Sequence, residues 1–151
     1  MTAGLDTGLG GPTQKLEASI YQVSSTAPGN SPSAVLDNNV NTVWNTGRYA
    51  PAWITLDLGK TMTLDSVWLL PNMKPITSQV THKIKVGTDA TSLNTVWSYV
   101  GSSTSYVWLE ADLSSGTVAR YVQVYTEMSN SWVAWASIHL YKFQVMHMLI
   151  F

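Results

Sequence analysis

Residues Ala34 to Gly59, AVLDNNVNTVWNTGRYAPAWITLDLG, decide how this chain is read, because their two halves obey different rules. Ala34 to Trp44 is a loop carrying Asp37, Asn38, Asn39, Asn41 and Thr42, closed by an aromatic. Trp53 to Gly59 alternates, with Trp53, Thr55 and Asp57 on one face and Ile54, Leu56 and Leu58 on the other. That period of two predicts a half-buried strand. An oxygen-rich loop can hold a hard cation, or satisfy its own backbone through Asx turns. The residue types alone leave both uses open.

The pattern extends outward in both directions. Lys15 to Ser24 alternates and predicts a first strand, and Ser25 to Ser33 (STAPGNSPS) is loop by its Pro, Gly and Asn. After a turn at Gly59-Lys60, Met62 to Leu70 predicts a strand that ends in an apolar run, buried on both faces and stopped by Pro71. Val80 to Gly87 places Val80, His82, Ile84 and Val86 on one side. Further strands are expected over Thr95–Val100, Tyr106–Leu113, Ala119–Thr126 and Trp132–Phe143. The intervening loops are Asn72–Gln79, Thr88–Asn94, Gly101–Ser105, Ser114–Val118 and Glu127–Ser131. About eight strands without helical periodicity or an internal repeat predict an all-β, antiparallel sandwich.

Composition narrows the function. The chain has 151 residues, enough for one domain with a proper core. Charged residues are 11%, against roughly 25% in an average soluble domain, and Ser, Thr and Asn take their place, as in extracellular or virion β-proteins. Seven Trp and seven Tyr against two Phe favour sites that are half apolar and half wet. A net charge of −1 with no basic run argues against nucleic acid and anionic lipid as partners. Without cysteine there is no disulfide and no thiolate nucleophile or metal site.

Catalysis finds no support. His82 and His139 fall inside expected strands and His147 in the tail, with no HxH or HExxH arrangement for a metal. No GxSxG marks a nucleophile. Asp57, Asp65 and Asp112 sit at strand and turn positions rather than as a glycosidase pair. The chain is therefore expected not to be an enzyme. Met1 to Gln14 is Gly/Thr-rich and expected to be a linker or vector-derived remnant, followed by a domain over residues 15–143. Gln144 to Phe151 forms an apolar tail, too short to span a membrane.

Ala34, Asp37, Asn38, Asn39, Thr42 and Trp44, followed by Trp53, Ile54, Asp57, Leu58 and Gly59, resemble the motif of coagulation factor V/VIII type C (discoidin) domains and the related galactose-binding-like carbohydrate modules. Val67–Pro71 and Arg120–Val124 follow in family order, so the resemblance covers roughly residues 15 to 143. It implies a jelly-roll sandwich. It also implies a glycan site built from loops at one end, here Asn45–Pro51, Asn72–Gln79 and Glu127–Trp132. Trp132 and Tyr49 would offer the aromatic face for a pyranose, and Asn45, Arg48, Asn72, Lys74 and Asn130 the hydrogen bonds. Trp132 reads equally well as strand core. Galactose-binding relatives have His and Arg where this chain has Asn45 and Asn72, which argues against galactose itself and leaves a galactose-like sugar or another hexose open.

The resemblance further implies one structural calcium at Asp37, Asn39 and Thr42. The Glu that completes the set in relatives is replaced here by Ser137, and fewer charges weaken such a site. The missing disulfide departs from animal domains and suggests a microbial or phage surface protein, extracellular or virion-associated, part of a larger multidomain or multivalent assembly. Two rivals remain. One is an adhesion or self-assembly module, with the tail from Val145 to Phe151 contributing an apolar patch. The other is phospholipid binding through Met73, Ile76 and Trp132, although no basic cluster surrounds them.

Overall fold

The computed structural model describes residues 13–143 apart from Ser115. Ten strands follow in chain order: β1 (Thr13–Leu16), β2 (Ser19–Val23), β3 (Trp44–Asn45), β4 (Ala52–Thr63), β5 (Ser66–Pro71), β6 (Thr77–Gly87), β7 (Asn94–Thr104), β8 (Leu109–Asp112), β9 (Val118–Ser129) and β10 (Ala134–Phe143). A 3-10 helix, Pro32–Leu36, precedes the Asp37 loop, with Ser31 accepting from the Ser33 N–H at its start. All strand pairs are antiparallel. One sheet runs β1-β10-β5-β8 with β3 added to β10, and the other runs β2-β4-β9-β6-β7. The two inner faces share one core that includes Trp44, Ile54, Leu56, Val67, Leu69, Ile84, Val122, Val124, Trp135, Ile138 and Leu140. The expected sandwich is the observed one, with ten strands among the described residues rather than about eight.

Alternation places the side chains as the sequence implies. Ile54, Leu56 and Leu58 are buried, while Trp53 stacks on Tyr125 across the outer face at 6.2 Å between ring centroids. Val80, His82, Ile84 and Val86 all point inward. Trp44, the residue that closes the organising loop, is fully buried, and its indole N–H donates to Thr26 Oγ1 at 3.0 Å.

Several expected boundaries move, among them that of Met62–Leu70, which is divided between β4 and β5 at Leu64-Asp65. The first strand is two: the chain leaves one sheet at Leu16 and enters the other at Ser19, so Lys15–Ser24 serves both sheets. β1 also takes in Thr13 and Gln14, paired with Phe143 and Lys142, ahead of the expected domain start. Gly59-Lys60 is not a turn. β4 continues through it with a register shift between Asp57 and Met62, Gly59 adopting φ +84°, a left-handed conformation open to glycine. The Ser-rich 101–105 stretch is largely strand, because Thr77, Ser78 and Gln79 pair with Thr104, Ser103 and Ser102. The C-terminal tail, with Val145 and His147, lies outside the described residues.

Candidate functional site

The three loops expected to meet at one end of the sandwich do meet, and backbone hydrogen bonds hold them together. The Val133 N–H donates to the Arg48 carbonyl at 2.9 Å, and the Thr46 N–H to the Val133 carbonyl at 3.0 Å. Thr46 is buried and its hydroxyl lies 2.8 Å from that same Val133 carbonyl, which fastens the 45–51 loop to the segment before β10. The Asn72 N–H reaches the Ala134 carbonyl at 3.1 Å. The Lys74 N–H donates to Ser131 Oγ at 3.0 Å, which joins the second loop to the third. Both loops are shorter than expected, since β6 starts at Thr77 and β9 runs to Ser129.

On this frame the candidate residues divide. Trp132 is 47% exposed, the most exposed of the seven tryptophans, so it is a loop residue presenting its indole to solvent and not strand core. Tyr49 is 60% exposed. Arg48, Lys74 and Asn130 are exposed, and neither cation makes an ion pair among the described residues. Asn45 is half-buried and structural in part: its Oδ1 accepts the Gly47 N–H at 2.8 Å, which shapes the loop that carries Arg48 and Tyr49. Asn72 donates through Nδ2 to the Tyr106 hydroxyl at 3.3 Å. Of the apolar residues considered as lipid spikes, Ile76 is 69% exposed, whereas Met73 is buried and unavailable.

A fourth loop joins them that the sequence reading placed inside a strand. Residues 105–108 turn back between β7 and β8, with the Tyr106 N–H on the Pro71 carbonyl at 2.8 Å and the Ser105 hydroxyl accepting the Met73 N–H at 2.9 Å. Tyr106 has φ +60° and is exposed beside Asn72. Nothing in a Tyr-Val-Trp run signals a left-handed tyrosine.

Behind Trp132 a narrow crevice opens, lined by Pro71, Asn72, Met73, His82, Trp132 and Trp135 among others. His82 is buried there. Its Nδ1 lies 2.9 Å from Thr126 Oγ1 and its ring packs 4.9 Å from Trp135 between centroids. Burial pushes its pKa down to about 4, so the ring is neutral at physiological pH. Its Nε2 has no hydrogen-bond partner among the described residues.

The Asp37 loop closes on itself. Asp37 Oδ1 accepts the Asn39 N–H at 2.9 Å, Oδ2 accepts the Thr42 hydroxyl at 2.6 Å, and Asn39 Oδ1 accepts the Asn41 N–H at 3.0 Å. Asn38 sits in the left-handed region at φ +59° and accepts from Lys15 Nζ. The Thr42 hydroxyl and then the Asn39 N–H hold the Asp37 carboxyl below its usual pKa. The donor set nonetheless suits a hard cation, because Thr42 Oγ1 also lies 2.8 Å from the Asn39 carbonyl and 3.5 Å from that of Ala34. Such a set carries one formal negative charge. Ser137 adds none and bonds His139 Nε2 at 2.9 Å on its own strand. Among the described residues no three His, Asp or Glu side chains gather as metal ligands.

The F5/8 type C domain matches residues 19–140. The chain belongs to this family. Its structural neighbours include family 32 carbohydrate-binding modules and other carbohydrate-binding modules. One is the module of AlyQ in complex with 4,5-unsaturated mannuronic acid, 22% identical with TM-score 0.73, covering 84% of this chain and 97% of that one. Another is the module of Clostridium perfringens NanJ in complex with galactose, 14% identical with TM-score 0.73, covering 87% and 100%. A third is chitosan-binding module 2 of a Paenibacillus chitosanase/glucanase with chitotriose, 21% identical with TM-score 0.67, covering 91% and 100%. Against a longer AlyQ chain that includes an alginate lyase domain, the F5/8 type C domain described here spans 35% of the length. No curated protein matches the sequence.

Proposed function

We propose that this domain is a non-catalytic glycan-binding module of a microbial or phage surface protein, working outside the cell within a larger or multivalent assembly. The observation that carries the reading is Trp132, a half-exposed indole on a loop whose neighbours are fixed by Ser131, Lys74 and Arg48. A flat apolar ring on a loop whose backbone is already braced can stack on the C–H face of a pyranose with less ordering of the loop left to do. Asn130, Arg48, Lys74, Tyr49 and the amide of Asn72 stand on the same loops and would take the sugar hydroxyls. Sugars named for the neighbouring modules support the reading, and Asn45 and Asn72 in place of the relatives' His and Arg leave a galactose-like sugar or another hexose as the ligand. A shallow face of this kind gives weak binding per site, which repeated copies would raise.

A second part of the proposal concerns the Asp37 loop. Asp37, Asn39 and Thr42, with the Ala34 carbonyl, would hold one calcium in a structural role, bracing the loop that ends in Trp44. With a single carboxylate the affinity would fall in the range of extracellular modules, roughly 10⁻⁴ to 10⁻³ M.

A glycan array probed with the domain and with Trp132→Ala tests the function. Signals that vanish in the variant support a lectin-type site, and an array without any signal turns the assignment toward adhesion or assembly.

A further inference from the structure

We propose that the crevice behind Trp132 is a subsite for a single hydroxyl, with His82 Nε2 at its floor as the group that reads it. The inference rests on the glycan reading and deepens it. His82 belongs to the inward face of β6, yet it lines an opening at the loop end together with Trp132, Asn72 and Met73. Its ring cannot swing aside, because Thr126 holds Nδ1 at 2.9 Å and Trp135 packs against the ring. Nε2 is buried and without a partner among the described residues, and a buried polar atom in that state gains from any ligand group that satisfies it.

Size and chemistry together select the group. The crevice has room for about one water molecule, so an acetamido group or a carboxylate is too large to enter, while one exocyclic oxygen fits. The Thr126 contact is compatible with either imidazole tautomer, leaving Nε2 as donor or acceptor. A hydroxyl both donates and accepts and so satisfies Nε2 in either case. The neutral ring offers an anion no charge assistance. A pyranose stacked on Trp132 with one hydroxyl turned into the crevice meets all of these conditions. His82 would then discriminate a free hydroxyl from its acylated, amidated or deoxy counterpart at that ring position.

The experiment uses the intact chain with ¹⁵N-labelled histidine and indole, titrated with D-galactose, chitotriose and 4,5-unsaturated mannuronic acid. The His82 signal is assigned by its loss in His82→Phe. The expected result is that a sugar that shifts the Trp132 indole also shifts His82 Nε2. Its deoxy analogue at one position should leave His82 unmoved and bind about threefold to tenfold more weakly, the worth of one neutral hydrogen bond. A sugar that shifts Trp132 while His82 Nε2 stays still in every titration overturns the subsite and spares the glycan reading. Three sugars that leave Trp132 unmoved count against the glycan reading itself, and the subsite falls with it. The measurement on the unmodified chain decides the matter even where His82→Phe folds poorly.

Discussion

The hydroxyl of Ser131 accepts the Lys74 N–H at 3.0 Å and donates to the Trp132 carbonyl at 3.0 Å, so one buried side chain couples the loop after β5 to the loop that presents Trp132. Replacing it by Ala leaves the Lys74 N–H without its partner. We expect Ser131→Ala to cost about 1–3 kcal/mol and to weaken glycan binding, because the indole loses its support. Chemical denaturation and a glycan titration on the same sample check both effects. Unchanged affinity alongside lost stability would show that Trp132 is positioned by other contacts.

Two tryptophans, Trp44 and Trp132, should behave in opposite ways. Trp44 is fully buried with its indole N–H on Thr26, and Trp44→Ala is expected to cost about 3–5 kcal/mol. Trp132 is half exposed, so Trp132→Ala is expected to change stability by less than about 1 kcal/mol. Its binding loss should exceed about tenfold. Thermal unfolding of the two variants separates them. Equal destabilisation would contradict the exposed placement of Trp132.

The buried His82 makes stability depend on pH in a defined window. Its folded pKa of about 4 lies below the unfolded value of 6.5, so the unfolded chain takes up a proton first as pH falls. The stability associated with the neutral ring is complete above pH 6.5, declines as pH drops toward 4, and declines no further below that. The size is on the order of 3 kcal/mol by the usual conversion. Burial, followed by the nearby Lys15 charge, pushes His139 in the same direction. Comparing the pH profiles of the parent chain and His82→Phe isolates the His82 share, which should vanish in the variant. A slope that survives unchanged would assign it to His139.

Calcium gives a fourth expectation. If the Asp37 loop holds an ion, chelation lowers the unfolding temperature and millimolar calcium restores it, whereas Asp37→Ala responds to neither. A parent chain indifferent to both treatments would leave Asp37 as an Asx-turn residue serving the Asn39 N–H and the Thr42 hydroxyl.

The sequence makes the strands legible wherever one face is buried and the other wet. Val80 to Val86 and Trp53 to Leu58 declare their inner faces by alternation, and the structure places them so. Alternation fails where the chain changes sheets. Leu16 and Ile20 keep a common period across Glu17-Ala18, so the transfer from one sheet to the other leaves no mark. It also fails at the site. In Trp132-Val-Ala-Trp135 an apolar run hides an exposed loop residue beside a core residue, and the bonds that hold the loop, from Val133 to Arg48 and Thr46 and from Ser131 to the Trp132 carbonyl, are long-range or local contacts that the pattern does not encode. Tyr106 is missed for a related reason, since its partners, the Pro71 carbonyl on its N–H and the Asn72 amide on its hydroxyl, are distant in sequence. That the 45–51, 72–76 and 130–133 loops lie together was legible by family order. Their reach was not.

The most direct test of the glycan reading follows the seven indole N–H signals by NMR as a sugar that binds on the array is added, with Trp132→Phe assigning its own signal. The account requires the Trp132 resonance to move with saturation while Trp68 and Trp108, packed edge to face on the outer side of the β1-β10-β5-β8 sheet, stay in place. Saturable movement of Trp68 and Trp108 with Trp132 unmoved would put the ligand on that sheet face and contradict the loop-end site.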